Sequence, residues 1–132
     1  MARNRSKGVI VIIENDEGIA AFLEETIREF VGKRTVVAHD GETGLAVIRR
    51  VRPQVVLTDI TLPGMSGIMV FDALQASPET ATIPVIFMSS RYEFRREMHQ
   101  RGVKHFLEKP FALDHLLSVL TEVLNPPQTH AA

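Results

Sequence analysis

Four stretches of this chain carry an apolar run into residues able to do polar chemistry. Val9-Ile10-Val11-Ile12-Ile13 runs into Glu14-Asn15-Asp16, and Val55-Val56-Leu57-Thr58 runs into Asp59. Pro84-Val85-Ile86-Phe87-Met88 runs into Ser89-Ser90, and Val103-Lys104-His105-Phe106-Leu107 into Glu108-Lys109-Pro110. Short apolar runs bounded by turn residues read as buried strands. Open α/β sheets bind ligands at the carboxyl ends of their parallel strands. If the four strands are parallel, acids, a hydroxyl and a lysine converge on Asp59. A buried charge is costly unless it is paired. Acid, hydroxyl and ammonium together suit a divalent cation and a phosphoryl group. A carboxylate in that setting can attack phosphorus and form an acyl phosphate. Taken alone, Asp59 reads equally well as a cap after a strand.

The elements that must position these residues alternate strand with helix five times. Helix one, roughly 17–31, carries Ile19, Phe22, Leu23, Ile27 and Phe30 at helical spacing, with Gly32 as its stop. A short second strand, 35–38, precedes Asp40-Gly41, which opens helix two with Leu45, Ile48 and Val51 inward. Helix three starts near Ser66, a good N-cap type, and presents Ile68, Phe71 and Leu74. Helix four, roughly 92–101, has the thinnest apolar face, Phe94 and Met98, and stops at Gly102. Strand five is mixed in polarity, which suits an edge. Helix five, 112–124, carries five leucines and ends at Asn125-Pro126-Pro127. Alternation of this kind implies βαβ units and an α/β, doubly wound parallel sheet.

Bulk properties bound the reading. The 132 residues suit one domain with one core. Hydrophobic residues make up 45% and charged residues 23%, the balance of a globular rather than a disordered chain. A formal net charge of -1 provides no global field toward nucleic acid or an anionic membrane. Cysteine is absent, which excludes disulfides, thiolate metal sites and cysteine nucleophiles and is compatible with the cytoplasm. The apolar run after the basic start is too short for a signal peptide or a membrane span. The expected organisation is a flexible arm over 1–7, one domain over 8–124 and a tail over 125–132.

The acid cluster, Asp59-x-x-x-Pro63-x-x-x-Gly67, Pro84-apolar run-Ser89 and Lys109-Pro110-Phe111, in this order, resemble the receiver domain of two-component response regulators. No single motif is specific; the four together, each ending a strand, are. The resemblance implies a flavodoxin-like fold of five parallel strands, order 2-1-3-4-5, with five helices. It implies that Asp59 accepts a phosphoryl group, that Lys109 compensates its charge, and that Ser89 and Phe106 are the switch residues. Mg²⁺ would be held by Asp59, the acid pair at the end of strand one and the backbone carbonyl of Thr61. Here that pair is Glu14-Asn15, an amide where an acid is usual, and Asp16 is either a substitute ligand or the N-cap of helix one. Thr61 and Arg91 fall where receivers flank the attacking water. A cis bond before Pro110 is implied as well.

The implied donor is a histidine kinase or a histidine phosphotransfer protein. The implied output is a downstream protein on the face of helix four, strand five and helix five, with a homodimer left open. No direct nucleic-acid or membrane partner is implied. Such a chain is no conventional enzyme; at most it catalyses its own Mg²⁺-dependent phosphorylation and dephosphorylation. The interval from Ser89 to Lys109 is shorter than is usual in the family, so the helix-four region should be shortened. Arg91, Arg95, Arg96 and Arg101 crowd that region, either as a solvated face or as a recognition face for an acidic partner. Asn15 supports an alternative, a pseudo-receiver that binds proteins without being phosphorylated. An aspartyl phosphatase fits less well, because its nucleophile generally lies on the first strand with a second Asp where this chain has Thr61.

Overall fold

The computed structural model describes residues 8–125. The expected arm, and the tail beyond Asn125, lie outside the described residues. Five strands, β1 (Val9–Ile13), β2 (Arg34–Ala38), β3 (Val55–Asp59), β4 (Val85–Ser89) and β5 (His105–Glu108), form one sheet in the order β2-β1-β3-β4-β5. Every neighbouring pair is parallel. Five helices connect and extend them: α1 (Glu17–Thr26), α2 (Gly41–Val51), α3 (Gly67–Gln75), α4 (Phe94–Gln100) and α5 (Leu113–Leu124). This is the doubly wound, flavodoxin-like architecture. Among the described residues, no helix is long and apolar enough to cross a membrane.

β3 and β4 are buried along their whole length, as parallel strands covered on both faces must be. Alternate residues supply two cores. Val11, Ile13, Val56, Val85 and Phe87 face a layer with Leu45 and Ile48 of α2, Val70 and Leu74 of α3, and Met98 of α4. Ile10, Ile12, Val55, Leu57, Ile86, Met88 and Leu107 face Leu23 of α1 and Leu116 and Leu120 of α5. Each core residue is removed from water, worth about 1.5–3 kcal/mol for a large aliphatic side chain.

Helix starts follow the caps. Asp16, Asp40 and Ser66 accept hydrogen bonds from the backbone N–H groups of Ile19, Thr43 and Met69. α1 departs from the expected form. Its inward stripe is Ala20, Leu23 and Ile27, and its last turn, Ile27–Val31, widens into a π turn closed by Gly32 at φ 75°. Gly32 N–H donates to the Ile27 carbonyl five residues back. Phe22 and Phe30, expected to share the inward stripe, are 48% and 57% exposed. Phe22 is one position, about 100° of helix rotation, away from Leu23. α4 is the shortest helix and buries only Met98, in keeping with the short Ser89–Lys109 interval.

The loop after β3 turns back on itself, so that Gly67 N–H donates to the Ile60 carbonyl at 2.8 Å. A Cβ on Gly67 would overlap the Asp59 carbonyl oxygen. Gly67→Ala is therefore expected to push α3 off the end of β3 and destabilise the fold by about 1–3 kcal/mol. Urea unfolding of the variant beside the wild type measures this. Equal midpoints would show that the loop yields without cost.

Candidate functional site

Register places the site. Ile13 lies beside Ala38 on β2 and beside Thr58 on β3. One residue further along, Glu14 stands between His39 and Asp59. Glu14 continues the ladder, its N–H donating to the Ala38 carbonyl at 2.9 Å. On the other side Asp59 pairs with Met88, and Ser89 pairs with Glu108. Lys109 follows, its N–H donating to the Ser89 carbonyl at 2.8 Å. The Lys109–Pro110 bond is cis.

Three of the expected residues meet directly. Lys109 Nζ lies 2.9 Å from Glu14 Oε1 and 2.8 Å from Asp59 Oδ1. The first contact is an aligned hydrogen bond. The second is a close ion pair, and the buried Asp59 Oδ1 has no other polar partner among the described residues. Glu14 and Asp59 are 2% and 6% exposed. Two acids thus share one ammonium out of water. Burial is the largest influence on Asp59 and the neighbouring Glu14 the next; Lys109 opposes both, and the carboxyl pKa is raised to about 7. For Lys109, burial works against the charge, but the hydrogen bonds and charges of Asp59 and Glu14 outweigh it and hold the pKa above the usual lysine value.

The other expected residues surround this trio, and among the described residues no side chain of theirs bonds to its charged groups. Ser89 is buried at the end of β4, and its Oγ accepts from the Arg91 N–H at 2.9 Å. Arg91 itself pairs with Glu93 at 3.2 Å and lies over the Phe94 ring. Asn15 is exposed, and Asp16 commits Oδ1 to the α1 cap. The Asp16 N–H donates in turn to Glu14 Oε2 at 2.9 Å. Thr61 is exposed in the loop after Ile60. Phe106 is half-buried, with the Arg95 guanidinium 5.9 Å from its ring centroid. Among the described residues, no group of three or more His, Asp and Glu side chains is disposed to hold a metal. Two buried carboxylates, with Asp59 Oδ1 partnered only by Lys109, still suit Mg²⁺, which is typically held by one or two carboxylates, waters and substrate phosphate. His39, whose Nδ1 contacts the Glu14 carbonyl, was not among the expected site residues. Its only signal is its place immediately after β2.

A model of the response regulator receiver domain matches residues 10–121, and the chain belongs to that family. Receiver domains take phosphoryl groups from histidine kinases or phosphotransfer proteins in two-component systems and phosphorelays. The chain is 35% identical over 114 residues to the transcriptional regulatory protein YxdJ of Bacillus subtilis, covering 83% of this chain and 47% of that protein. It is 28% identical over 116 residues to Protein PilH of Pseudomonas aeruginosa, covering 86% and 96%. It spans about half the length, or less, of several curated relatives that it matches. Its fold is similar to that of the receiver domain of a sensor histidine kinase from Pseudomonas aeruginosa, at TM-score 0.79, 23% identity and 89% and 97% coverage. That structure holds a magnesium ion coordinated in its active site cleft.

The charge balance has a measurable consequence. The folded state raises the Asp59 pKa from an ordinary 3.8 to about 7. It therefore holds the Asp59 proton more tightly than the unfolded chain does. The cost of ionising Asp59 is absent below the unfolded pKa, grows as pH rises through the window between the two values, and is complete above the folded one. Without added metal, Asp59→Asn should exceed the wild type in stability by roughly 1–4 kcal/mol near pH 8. That gap should close near pH 3.5. Urea unfolding at both pH values measures it, and a gap independent of pH would contradict the assignment.

Proposed function

We propose that this chain is a phosphorylation-dependent signalling switch with Asp59 as the phosphoryl acceptor. The observation that supports the reading best is the ammonium of Lys109 set between the buried carboxylates of Glu14 and Asp59 at the carboxyl edge of the sheet. An Asp59 carboxylate oxygen attacks the phosphorus of a phosphohistidine on a histidine kinase or phosphotransfer protein. The new O–P bond forms as the P–N bond breaks, and its electron pair returns to the imidazole nitrogen. Asp59 then carries a mixed anhydride. Phosphoryl transfer of this kind needs positioning and charge neutralisation more than covalent help.

Glu14, Asp59 and the Thr61 carbonyl are the residues we assign to Mg²⁺, with Asn15 in the second place of the acid pair and Asp16 left to the helix cap. Mg²⁺ held by these residues would supply positive charge that favours ionised Asp59 and offsets the negative charge of the phosphoryl group. Lys109 answers the added phosphoryl charge as a compact cation. Ser89 reaches a phosphoryl oxygen through its hydroxyl. Phe106 responds by changing its burial, and the signal leaves through the face of α4, β5 and α5, to a downstream protein or a second copy of the chain. Thr61 and Arg91 lack the acid or carboxamide that would orient water, which gives a long-lived acyl phosphate. The reading places the chain in the cytoplasm with its donor.

Incubation with acetyl phosphate, followed by intact-mass analysis, tests the acceptor. A single phosphoryl adduct that requires Mg²⁺ and is lost in Asp59→Asn is expected. An adduct of wild-type yield in the variant would place the acceptor elsewhere. No adduct on the wild type would favour a pseudo-receiver, the reading that Asn15 supports.

An amide oxygen is a poorer ligand for a hard dication than a carboxylate. Asn15→Asp should tighten Mg²⁺ binding by about 1–4 kcal/mol, less the repulsion among the acids. Mg²⁺ titration of Asn15→Asp and Asp16→Ala decides between the two positions. Loss of binding in Asp16→Ala with no gain in Asn15→Asp would assign the ligand to Asp16.

A further inference from the structure

Glu14 is held through its backbone N–H and through both carboxylate oxygens. Its N–H donates to the Ala38 carbonyl, its Oε1 accepts from Lys109 and its Oε2 accepts from the Asp16 N–H. The remaining polar group is its own carbonyl oxygen, and His39 Nδ1 lies 2.9 Å from it. A carbonyl can only accept, so His39 donates through Nδ1–H. Both the neutral Nδ1–H tautomer and the imidazolium do this, which makes the contact insensitive to the charge of the ring.

The position of this contact matters more than its strength. β1 ends at Ile13, and the chain must leave the sheet at Glu14-Asn15-Asp16 before α1 begins. The direction of the Glu14 carbonyl sets the plane of the peptide that links Glu14 to Asn15. The next peptide, hinged to that plane at the Asn15 Cα, carries the Asp16 N–H that meets the Glu14 carboxylate at 2.9 Å. β2 is an edge strand, so His39 reaches the turn from its open side with no further strand beyond it.

We infer that His39 is a positioning residue for the acid turn: its Nδ1–H clamps the Glu14 carbonyl and so aims the Glu14 carboxylate at Lys109 and the proposed metal position. The inference rests on the metal reading of the site only for its consequence, not for the clamp. Outer-shell groups of this kind typically change metal affinity about tenfold or more when removed.

The test uses the whole chain with two substitutions. His39→Leu removes the donor. His39→Asn restores one, since its side-chain amide can place an N–H near the position of Nδ1. Hydrogen exchange of the Asp16 amide, measured by NMR without metal, reads the clamp. Titration with MgCl2, followed by backbone amide shifts, reads its consequence. In His39→Leu, Asp16 exchange should accelerate about tenfold and Mg²⁺ affinity fall by a similar factor. His39→Asn should return both to within about twofold of wild type. Unchanged Asp16 exchange in His39→Leu, or a His39→Asn variant as impaired as His39→Leu, overturns the inference. If the wild type ignores Mg²⁺, the metal reading fails and the exchange data alone decide the role of His39. If His39→Leu does not fold, wild-type exchange in His39→Asn supports the clamp and its loss overturns it.

Discussion

One ammonium between two buried carboxylates sets the terms for this sheet edge. The oxygens of Glu14 and Asp59 that touch Lys109 lie within about 6 Å of each other, where like charges in a partly screened setting repel by several kcal/mol. Lys109 offsets part of that repulsion, and one negative charge is left over. Burial and that remaining charge together raise the Asp59 pKa. A site without Lys109 would force one acid to remain protonated in the resting state.

The fold contributes the geometry of this imbalance. In the order β2-β1-β3-β4-β5, Glu14 and Asp59 come from adjacent strands, but Lys109 comes from the far edge. Neighbouring strands are about 4.8 Å apart, so the lysine must pass over the end of β4 to reach β3 and β1. The Lys109 N–H bonded to the Ser89 carbonyl anchors the start of that path. Ser89 thereby holds two parts of the site at once, Lys109 through its carbonyl and the start of the α4 segment through its hydroxyl. Close packing of Gly67 on the Asp59 carbonyl fixes the other wall.

Most of this architecture was legible because it rests on patterns that local chemistry enforces. Apolar runs ending in polar residues located four of the five strands to within a residue or two, and Asp16, Asp40, Ser66 and Gly32 marked helix ends by their capping chemistry. Glu14, Asp59 and Lys109 could be grouped because parallel strands share an edge. What stayed hidden depends on the path of the backbone. Asn15 and Asp16 differ in sequence by one position, and only the turn shows that Asp16 Oδ1 caps α1. Phe22 and Phe30 fit a helical stripe on paper, yet Leu23 and Ile27 occupy the buried line and the π turn adds a shift that no propensity encodes. His39 belongs to no motif; its contact arises from β1–β2 register alone.

Glu14 and Lys109 are 95 positions apart in the chain. On a ribosome the two acids emerge long before their counter-ion. Until β5 has joined the sheet, Glu14 and Asp59 face each other without compensation. Closing so long a loop costs chain entropy that only the finished sheet can offset. The Lys109 contact is thus among the last that the growing chain can make. Its presence in a given molecule shows that the ends of β1 and β5 have both reached the same edge of the sheet.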